Sequence, residues 1–565
     1  MNSVVEVGMT LNYLIDSSYS KYKDSPAIGM AMEEPLSYGD FYERIFALAA
    51  RLQSEGIVKG DRLAILGENS HHWGIAYLAI VRLGAVAIPI LPDLPESDVH
   101  HILNEMQVKA LFTTQKQIEK IYELRKELKG PVITLDDYDA EISVVPVVTF
   151  SDYLEEALAS FRENPAQPVF PTVNENDLAS ILYTSGTSGY SKAVMLTHKN
   201  LTANAYAASG LKEIKPGSVW LSILPMSHTY EFTCGFLLPL LCGCRIAYAG
   251  KTPTPAILQK LCAHEKPFAI FAVPLVMEKI YKKRVLPQIE KSSLLKNVCK
   301  IGMGRKLVYR KIGKKLITFF GGNLQLMGIG GAALNPDVEK FLHEARFPYL
   351  IGYGLTECAP LIAGGPAGDK TIAIGSTGKP IPGVQVKIAK PDPATGIGEI
   401  TACGANVMLG YFNDAEATEA ALSKDGWLST GDLGFMDQEG NLHVCGRSKN
   451  IIVLSNGENV YPEAIEHKLN TYHWVVESLL IENSGQIEAW VYPDYEFIDD
   501  RTAGSSRIDR RAFIENLLES MRKDLNEQLP KSSRLAKVFE RREPFIKTAT
   551  HKIKRYLYDG HAKLG

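Results

Sequence analysis

Ile181-Leu182-Tyr183-Thr184-Ser185-Gly186-Thr187-Ser188-Gly189-Tyr190-Ser191-Lys192 is the stretch from which the rest of the chain can be read. An apolar, β-prone run feeds a loop of hydroxyls and glycines that closes on a lysine. Gly186 and Gly189 carry no Cβ, so the backbone there can approach a ligand closely with its N–H groups aimed at an anion. The hydroxyls of Thr184, Ser185, Thr187 and Ser188 add donors, and Lys192 adds a point charge. Such a loop suits phosphates. It is not a Walker loop, because Gly189 and Lys192 are not adjacent and Ala193 follows the lysine where Ser or Thr would stand. A flexible surface loop shares the same composition, and the stretch alone does not separate the two readings.

Working outward, β-like runs at 62–66, 85–91, 108–113 and 132–135 alternate with a helical run at 73–83. Upstream, Ser37 followed by Asp40 three residues later marks a helix start, and Gly56 marks its stop. Strands alternating with helices predict a parallel, doubly wound sheet. The Pro-rich segment 164–173 predicts a linker between this layer and a second one. Past Pro382, short strands with turn signals at Gly396-Ile397-Gly398 and Asp437 to Gly440 predict a β-rich unit, followed by an α+β tail. The expected fold is therefore a multidomain α/β protein. A large N-terminal domain, 1–448, would hold two doubly wound subdomains (about 1–165 and 174–380) and a small β-barrel-like unit at 381–448. A small, mobile α+β C-terminal domain would span 449–565.

Bulk properties agree. A chain of 565 residues is too long for one core. Its 45% hydrophobic and 22% charged residues exclude a disordered or fibrous class. A net charge of -3 gives no reason to expect a nucleic-acid partner. The stretch 501–563 is richer in Lys and Arg; it reads as a solvated small domain or a place for a polyanionic cofactor such as CoA. The eight cysteines are scattered, and Cys242 and Cys244 stand too close for a metal knuckle. The N-terminus lacks a basic and apolar leader. The most apolar run, 236–244, is interrupted by Pro239 and Gly243 and is far short of a bilayer span. A cytoplasmic location is expected, with peripheral membrane contact and the choice between monomer and homodimer left open.

Two further stretches carry chemistry. Gly328-Ile329-Gly330-Gly331-Ala332-Ala333 matches G-x-G-x-x-A, but no acidic residue follows at the dinucleotide offset, so a dehydrogenase is excluded. Gly330, Gly331 and Ala332 remain a place where backbone can pack on a ligand. Tyr353-Gly354-Leu355-Thr356-Glu357 follows an apolar run, where open α/β sheets bind ligands. Glu357 there can hold Mg²⁺, which favours one or two carboxylates plus substrate phosphates. A surface carboxylate at a helix start is the plainer alternative.

In this order the pieces resemble the adenylate-forming superfamily of acyl-CoA synthetases, luciferases and adenylation domains. Tyr183 to Ala193 is similar to Y-T-S-G-T-T-G-x-P-K-G, with Ser188 for Thr, Ser191 for Pro and Ala193 for Gly. Leu224-Pro225-Met226-Ser227-His228 resembles the motif that places a histidine, here His228, beside the acyl carboxylate. The resemblance implies that Tyr353 and Gly354 adjoin adenine, Thr356 touches the α-phosphate and Glu357 binds Mg²⁺. It also implies that Asp432 of Ser429-Thr430-Gly431-Asp432 holds the ribose hydroxyls with Arg447, and that Lys449 is a hinge. A carboxylate suits a cis-diol because it accepts two hydrogen bonds side by side. The tail Ile546 to Arg555 resembles P-K-T-x-x-G-K-I-x-R, which puts Lys552 on the adenylation lysine, and Gly457 lies in a loop that would border CoA.

The activity so implied is that of an AMP-forming acyl-CoA synthetase using ATP, Mg²⁺ and coenzyme A. The segment 271–281 is similar to V-P-R-V-x-E-K-I-Y of long-chain fatty-acyl-CoA synthetases, and 226–232 lacks the aspartate that holds an amino-acid amine. A medium- or long-chain fatty acid is therefore the expected substrate. Phe232, Phe236, Leu237, Leu238, Leu240 and Leu241 would either line its channel or simply form helix core. A fatty-acyl-AMP ligase that loads a carrier protein, and a nucleotide-binding scaffold without catalysis, are the alternatives.

Overall fold

The computed structural model describes residues 8–558 except 125–127, 129, 137–146, 164–167, 185–191, 291, 455–458, 505 and 549–551. Two eight-stranded sheets form its large part. The first runs, in spatial order, Gly410–Tyr411, Lys192–Thr197, Leu178–Thr184, Val86–Ile90, Arg62–Leu66, Ala110–Thr113, Val132–Thr134 and Val148–Thr149. The second runs Leu361–Gly364, Tyr349–Gly354, Leu326–Ile329, Ala269–Ala272, Val219–Ser222, Arg245–Tyr248, Pro26–Met30 and Leu36–Ser37. Their central strands pair in parallel and antiparallel pairs lie toward the edges.

Arg62–Leu66 shows why a continuous apolar run makes such a strand. Successive side chains point to opposite faces, so Leu63 and Ile65 enter one core while Ala64 and Leu66 enter another. The helix Tyr38–Ser54 starts as its capping box predicts: the Asp40 N–H donates to Ser37 Oγ at 3.0 Å, and the Asp40 carboxylate reaches back to the Ser37 backbone. Gly56, at φ +89°, turns the chain away. Between them Phe41, Ile45, Leu48 and Leu52 form the buried stripe.

The layers are not consecutive in sequence, and the boundary drawn at 164–173 falls inside a sheet. Leu178–Thr184 pairs with Val86–Ile90 across that segment, whereas Pro26–Met30 joins Arg245–Tyr248 in the other sheet. Proline marks a connection but does not say whether it leaves the sheet, since parallel pairing is non-local.

Beyond these, Val384–Ala389, Gly398–Gly404, Leu428–Met436 and Leu442–Arg447 form a four-stranded antiparallel sheet, the β-rich unit expected there. A one-turn element, Ser448–Asn450, then leads to a two-stranded ribbon and a three-stranded sheet packed with helices Pro462–Leu469 and Arg507–Gln528. This last α+β part has its own core around Ile465, Trp474, Leu480, Val491 and Leu518.

Candidate active site

The parallel strands Leu326–Ile329 and Tyr349–Gly354 end side by side. The first delivers Gly330, buried, and then Gly331 and Ala332, both exposed. Gly331 sits at φ +85°, and Gly354 would bring a Cβ to 1.9 Å from the Pro360 carbonyl, so neither place admits a side chain without rearrangement. The second strand delivers Tyr353, followed by the short turn Thr356–Cys358 with Thr356 and Glu357 half-buried.

Asp432 comes to this place from the four-stranded sheet, where it stands opposite Arg447. One of its oxygens accepts from the Tyr353 hydroxyl at 2.7 Å and the other from Arg447 Nε at 2.8 Å. Burial raises the Asp432 pKa, against the opposing pull of Arg447 and Tyr353. Each carboxylate oxygen keeps a further acceptor site, so the pair can still take two hydroxyls.

A third contribution was not legible in the sequence. Tyr411 lies on the two-residue strand Gly410–Tyr411, which pairs with Lys192–Thr197. Its hydroxyl donates to Glu357 Oε1 at 3.0 Å, and Lys192 Nζ stands 4.3 Å from its ring centroid. This one side chain therefore ties the lysine closing the glycine-rich loop to the carboxylate of the Tyr353–Glu357 motif. Thr184 lies opposite Lys192 across the hairpin. Ser185, Gly186, Thr187, Ser188, Gly189 and Gly457 lie outside the described residues.

His228 caps the short helix Thr229–Glu231, its Nδ1 accepting from the Tyr230 N–H at 3.2 Å. Packed surroundings, with Lys552 adding a like charge, lower its pKa to about 4. The imidazole is thus neutral near pH 7, and with Nδ1 accepting, its proton belongs on Nε2. The loop beneath it is clamped by Asn69, whose Nδ2 donates to Ser222 Oγ at 3.0 Å and to the Leu224 carbonyl, while the Met226 N–H donates to Asn69 Oδ1 at 2.8 Å. Asn69 carries no local signal of this role: it is one polar residue in a loop after a strand.

Lys552 is anchored through its backbone: the Thr548 N–H donates to the Lys552 carbonyl at 2.8 Å and Lys547 bridges to Ile553. Its side chain keeps water contact, yet protein surrounds it in the cleft and lowers its pKa, as does Arg447; Asp432 and Glu357 pull the other way. Three sequence-separated groups, Arg447, Asp432 and Glu357, thus all bear on the charge of Lys552. Lys449 is exposed on the turn Ser448–Asn450 between the two units.

Beside these polar groups opens a narrow apolar crevice, a cavity of about 30 Å³ lined by Leu211, Tyr230, Leu238, Phe271, Gly328 and Leu350 among others. Phe271 opens the segment 271–281. A Cβ on Gly328 would lie 2.2 Å from the Phe271 ring, so glycine is what keeps the strand beside it open. Of the six apolar residues between 232 and 241 considered for the channel, only Leu238 lines it. Phe232, Phe236, Leu237 and Leu240 are buried core, and Leu241 packs against that core. A π-helical turn runs over Phe232–Leu237, and in it the Phe232 ring packs on Trp73 and Tyr77. At its start Glu231 is buried, one carboxylate oxygen having no partner among the described residues, and burial pushes its pKa up to about 8.

Comparison with known proteins agrees with this geometry. The profile of the AMP-binding enzyme family matches residues 15–412, and the chain belongs to that family. It is similar to long chain acyl-CoA synthetase 8 of Arabidopsis thaliana, at 27% identity over 518 residues, 80% of this chain and 70% of the relative. It is also 29% identical over 480 residues to the long-chain-fatty-acid–CoA ligase of Escherichia coli, covering 80% of this chain and 79% of that one. Among solved structures, ATP-bound MatB from Rhodopseudomonas palustris superimposes with a TM-score of 0.76 at 24% identity, covering 97% of this chain and 99% of that one. That likeness is one of fold.

Proposed function

We propose that this chain is an AMP-forming acyl-CoA synthetase: it adenylates a medium- or long-chain fatty acid with ATP, then transfers the acyl group to coenzyme A, releasing AMP and pyrophosphate. The observation that carries the reading is that Asp432 joins Arg447 to Tyr353 at the end of a parallel strand beside an apolar crevice, with Lys552 in electrostatic reach of Arg447, Asp432 and Glu357. The names of the relatives in Arabidopsis thaliana and Escherichia coli support the acid and the acceptor.

A carboxylate resists a thiol because oxide would have to leave. In the first step the acid's oxygen attacks the α-phosphorus and the bond to pyrophosphate breaks, giving a mixed anhydride. Asp432 and Arg447 would hold the ribose, with Tyr353, Gly354 and the Gly330–Ala332 backbone against the base. His228 would donate its Nε2 proton as a hydrogen bond to the acid's carboxylate and so aim it. Lys552, Thr356, Lys192 and the loop from Thr184 would face charge developing on phosphate oxygens; groups preorganised toward such charge do most of the work in this chemistry. Glu357 fits a cation that arrives with ATP, since Tyr411 occupies one of its oxygens and the other takes no hydrogen bond among the described residues. Mg²⁺ there would neutralise phosphate charge.

In the second step the thiol sulfur attacks the acyl carbon, AMP leaves with the anhydride electrons, and the thiol proton passes to solvent. Lys552 would first have to withdraw. The domain division, 1–448 and 449–565, with rotation about Lys449 and Gly457 bordering the thiol, supplies that movement.

The test is kcat/KM for saturated acids from acetate to palmitate with CoA, below micelle-forming concentrations. Each buried methylene should raise it roughly fourfold until the crevice is full. A maximum at acetate would refute the fatty-acid assignment and leave the ligase standing.

A further inference from the structure

Between the strand Ala269–Ala272 and the strand Leu326–Ile329, both of which line the crevice, the chain makes a long helical excursion. Its last part, helices Ser293–Lys300 and Gly302–Phe319, has an unusual composition. Residues 291–319 contain nine Lys and Arg and no Asp or Glu, in a chain whose net charge is -3. On Gly302–Phe319 the inward stripe is Ile312, Leu316 and Phe319, all buried. Another stripe is Met303, Leu307, Lys311 and Lys314, all exposed. Met303 and Leu307 are 79% and 62% exposed; Leu294 and Ile301, seven residues apart at the other helix, are 74% and 66% exposed. Arg305 is paired with Glu344, but Lys300, Lys306, Lys311 and Lys314 are exposed and form no ion pair among the described residues.

Four large apolar side chains turned to water, interspersed along these two helices with exposed cations that form no ion pair among the described residues, do not serve the fold. A second copy of the same face would repel this one. A nucleic acid would answer the charge but not the aliphatic side chains, for which stacking aromatics would stand instead. A bilayer with anionic headgroups answers both, since the cations meet phosphate and the apolar side chains enter the acyl boundary. We propose that the helical corner 293–315 is a docking surface for an anionic membrane. The inference stands on charge and exposure and not on the chemistry of the crevice, although it would put an enzyme for apolar acids where such acids dissolve.

Sedimentation of the full chain with vesicles tests it. The protein should pellet with phosphatidylcholine–phosphatidylglycerol vesicles, stay in solution with phosphatidylcholine alone, and be released by high salt. The triple variant Lys300→Glu, Lys306→Glu, Lys311→Glu should lose partitioning by roughly a hundredfold or more, at about fivefold per lysine removed with the new carboxylates adding repulsion. The double variant Met303→Ser, Leu307→Ser should lose roughly tenfold without any change of charge. All five side chains are exposed, so thermal stability should be unchanged and thioester formation with a soluble short acid retained. Failure of the wild type to pellet with anionic vesicles would overturn the proposal. So would undiminished binding by the triple variant, or a preference for RNA over vesicles that the Met303/Leu307 variant leaves intact.

Discussion

Two halves of the site are built in different ways. Asp432, Tyr353 and Arg447 belong to sheets of the large part, and Asp432 holds the other two at 2.7 and 2.8 Å. Lys552 belongs to a small unit with a separate core, keeps water contact, and is reached by Arg447, Asp432 and Glu357 through electrostatics. A nucleotide pocket must be rigid to hold one geometry. A cation needed in only one of two steps must be removable, so it is best carried by an element whose own packing does not depend on the pocket.

The most direct way to break that contrast is Lys552→Ala. Adenylation should fall by roughly 10²–10³, the usual loss for one preorganised stabiliser. Thioester formation from supplied acyl-AMP should persist. Equal losses in both half-reactions, measured separately in rapid-quench assays, would make Lys552 structural and erase the distinction.

A smaller effect is expected at the connection between the halves. Lys449→Pro fixes φ and removes a backbone donor at the turn Ser448–Asn450, so the thioester half-reaction should suffer more than adenylation. If both proceed at wild-type rates, the units do not move about Lys449.

On the rigid side, Tyr411→Phe keeps the ring beside Lys192 and removes only the bond to Glu357. A hydrogen bond to a charged group stabilises by about 1.5–3 kcal/mol when fully formed, so KM for MgATP should rise roughly tenfold, with KM for the acid little changed. An unchanged KM for MgATP would remove Tyr411 from the site.

The smallest effect on turnover concerns Glu231, which bears on stability. Folding raises its pKa to about 8 from an ordinary 4.5. Between those values the folded chain keeps a proton that the unfolded chain has lost, so this group's contribution is full at low pH and fades as pH rises to about 8. Glu231→Gln should therefore gain on the wild type between pH 5 and pH 8, by an amount on the order of 3–5 kcal/mol. Parallel melting curves for the two proteins across that range would contradict the assignment of a buried neutral carboxyl.

Much of this was readable from sequence where a function is local. The helix start at Ser37, the strand at 62–66 and the Tyr353–Glu357 turn each announce themselves within a few residues, because caps, pleats and tight turns are short-range; Asp432 and Arg447 came from resemblance alone. What escaped is what distance supplies. Tyr411 reaches Glu357 from a two-residue edge strand, Asn69 clamps a loop more than 150 residues away, and the Phe232 ring in the π-helical turn at 232–237 packs on Trp73 and Tyr77. Sheet membership is likewise non-local: the span 1–165, expected as one subdomain, contains Pro26–Met30, which pairs with Arg245–Tyr248 in the other sheet.

The central claim is that acid and ATP react here before any thiol is present. ATP–pyrophosphate exchange by the wild-type protein, without CoA, tests it most directly. Exchange should appear only when a carboxylic acid is added and should climb with alkyl chain length. Exchange that ignores the acid, or that requires CoA, would contradict an adenylate intermediate.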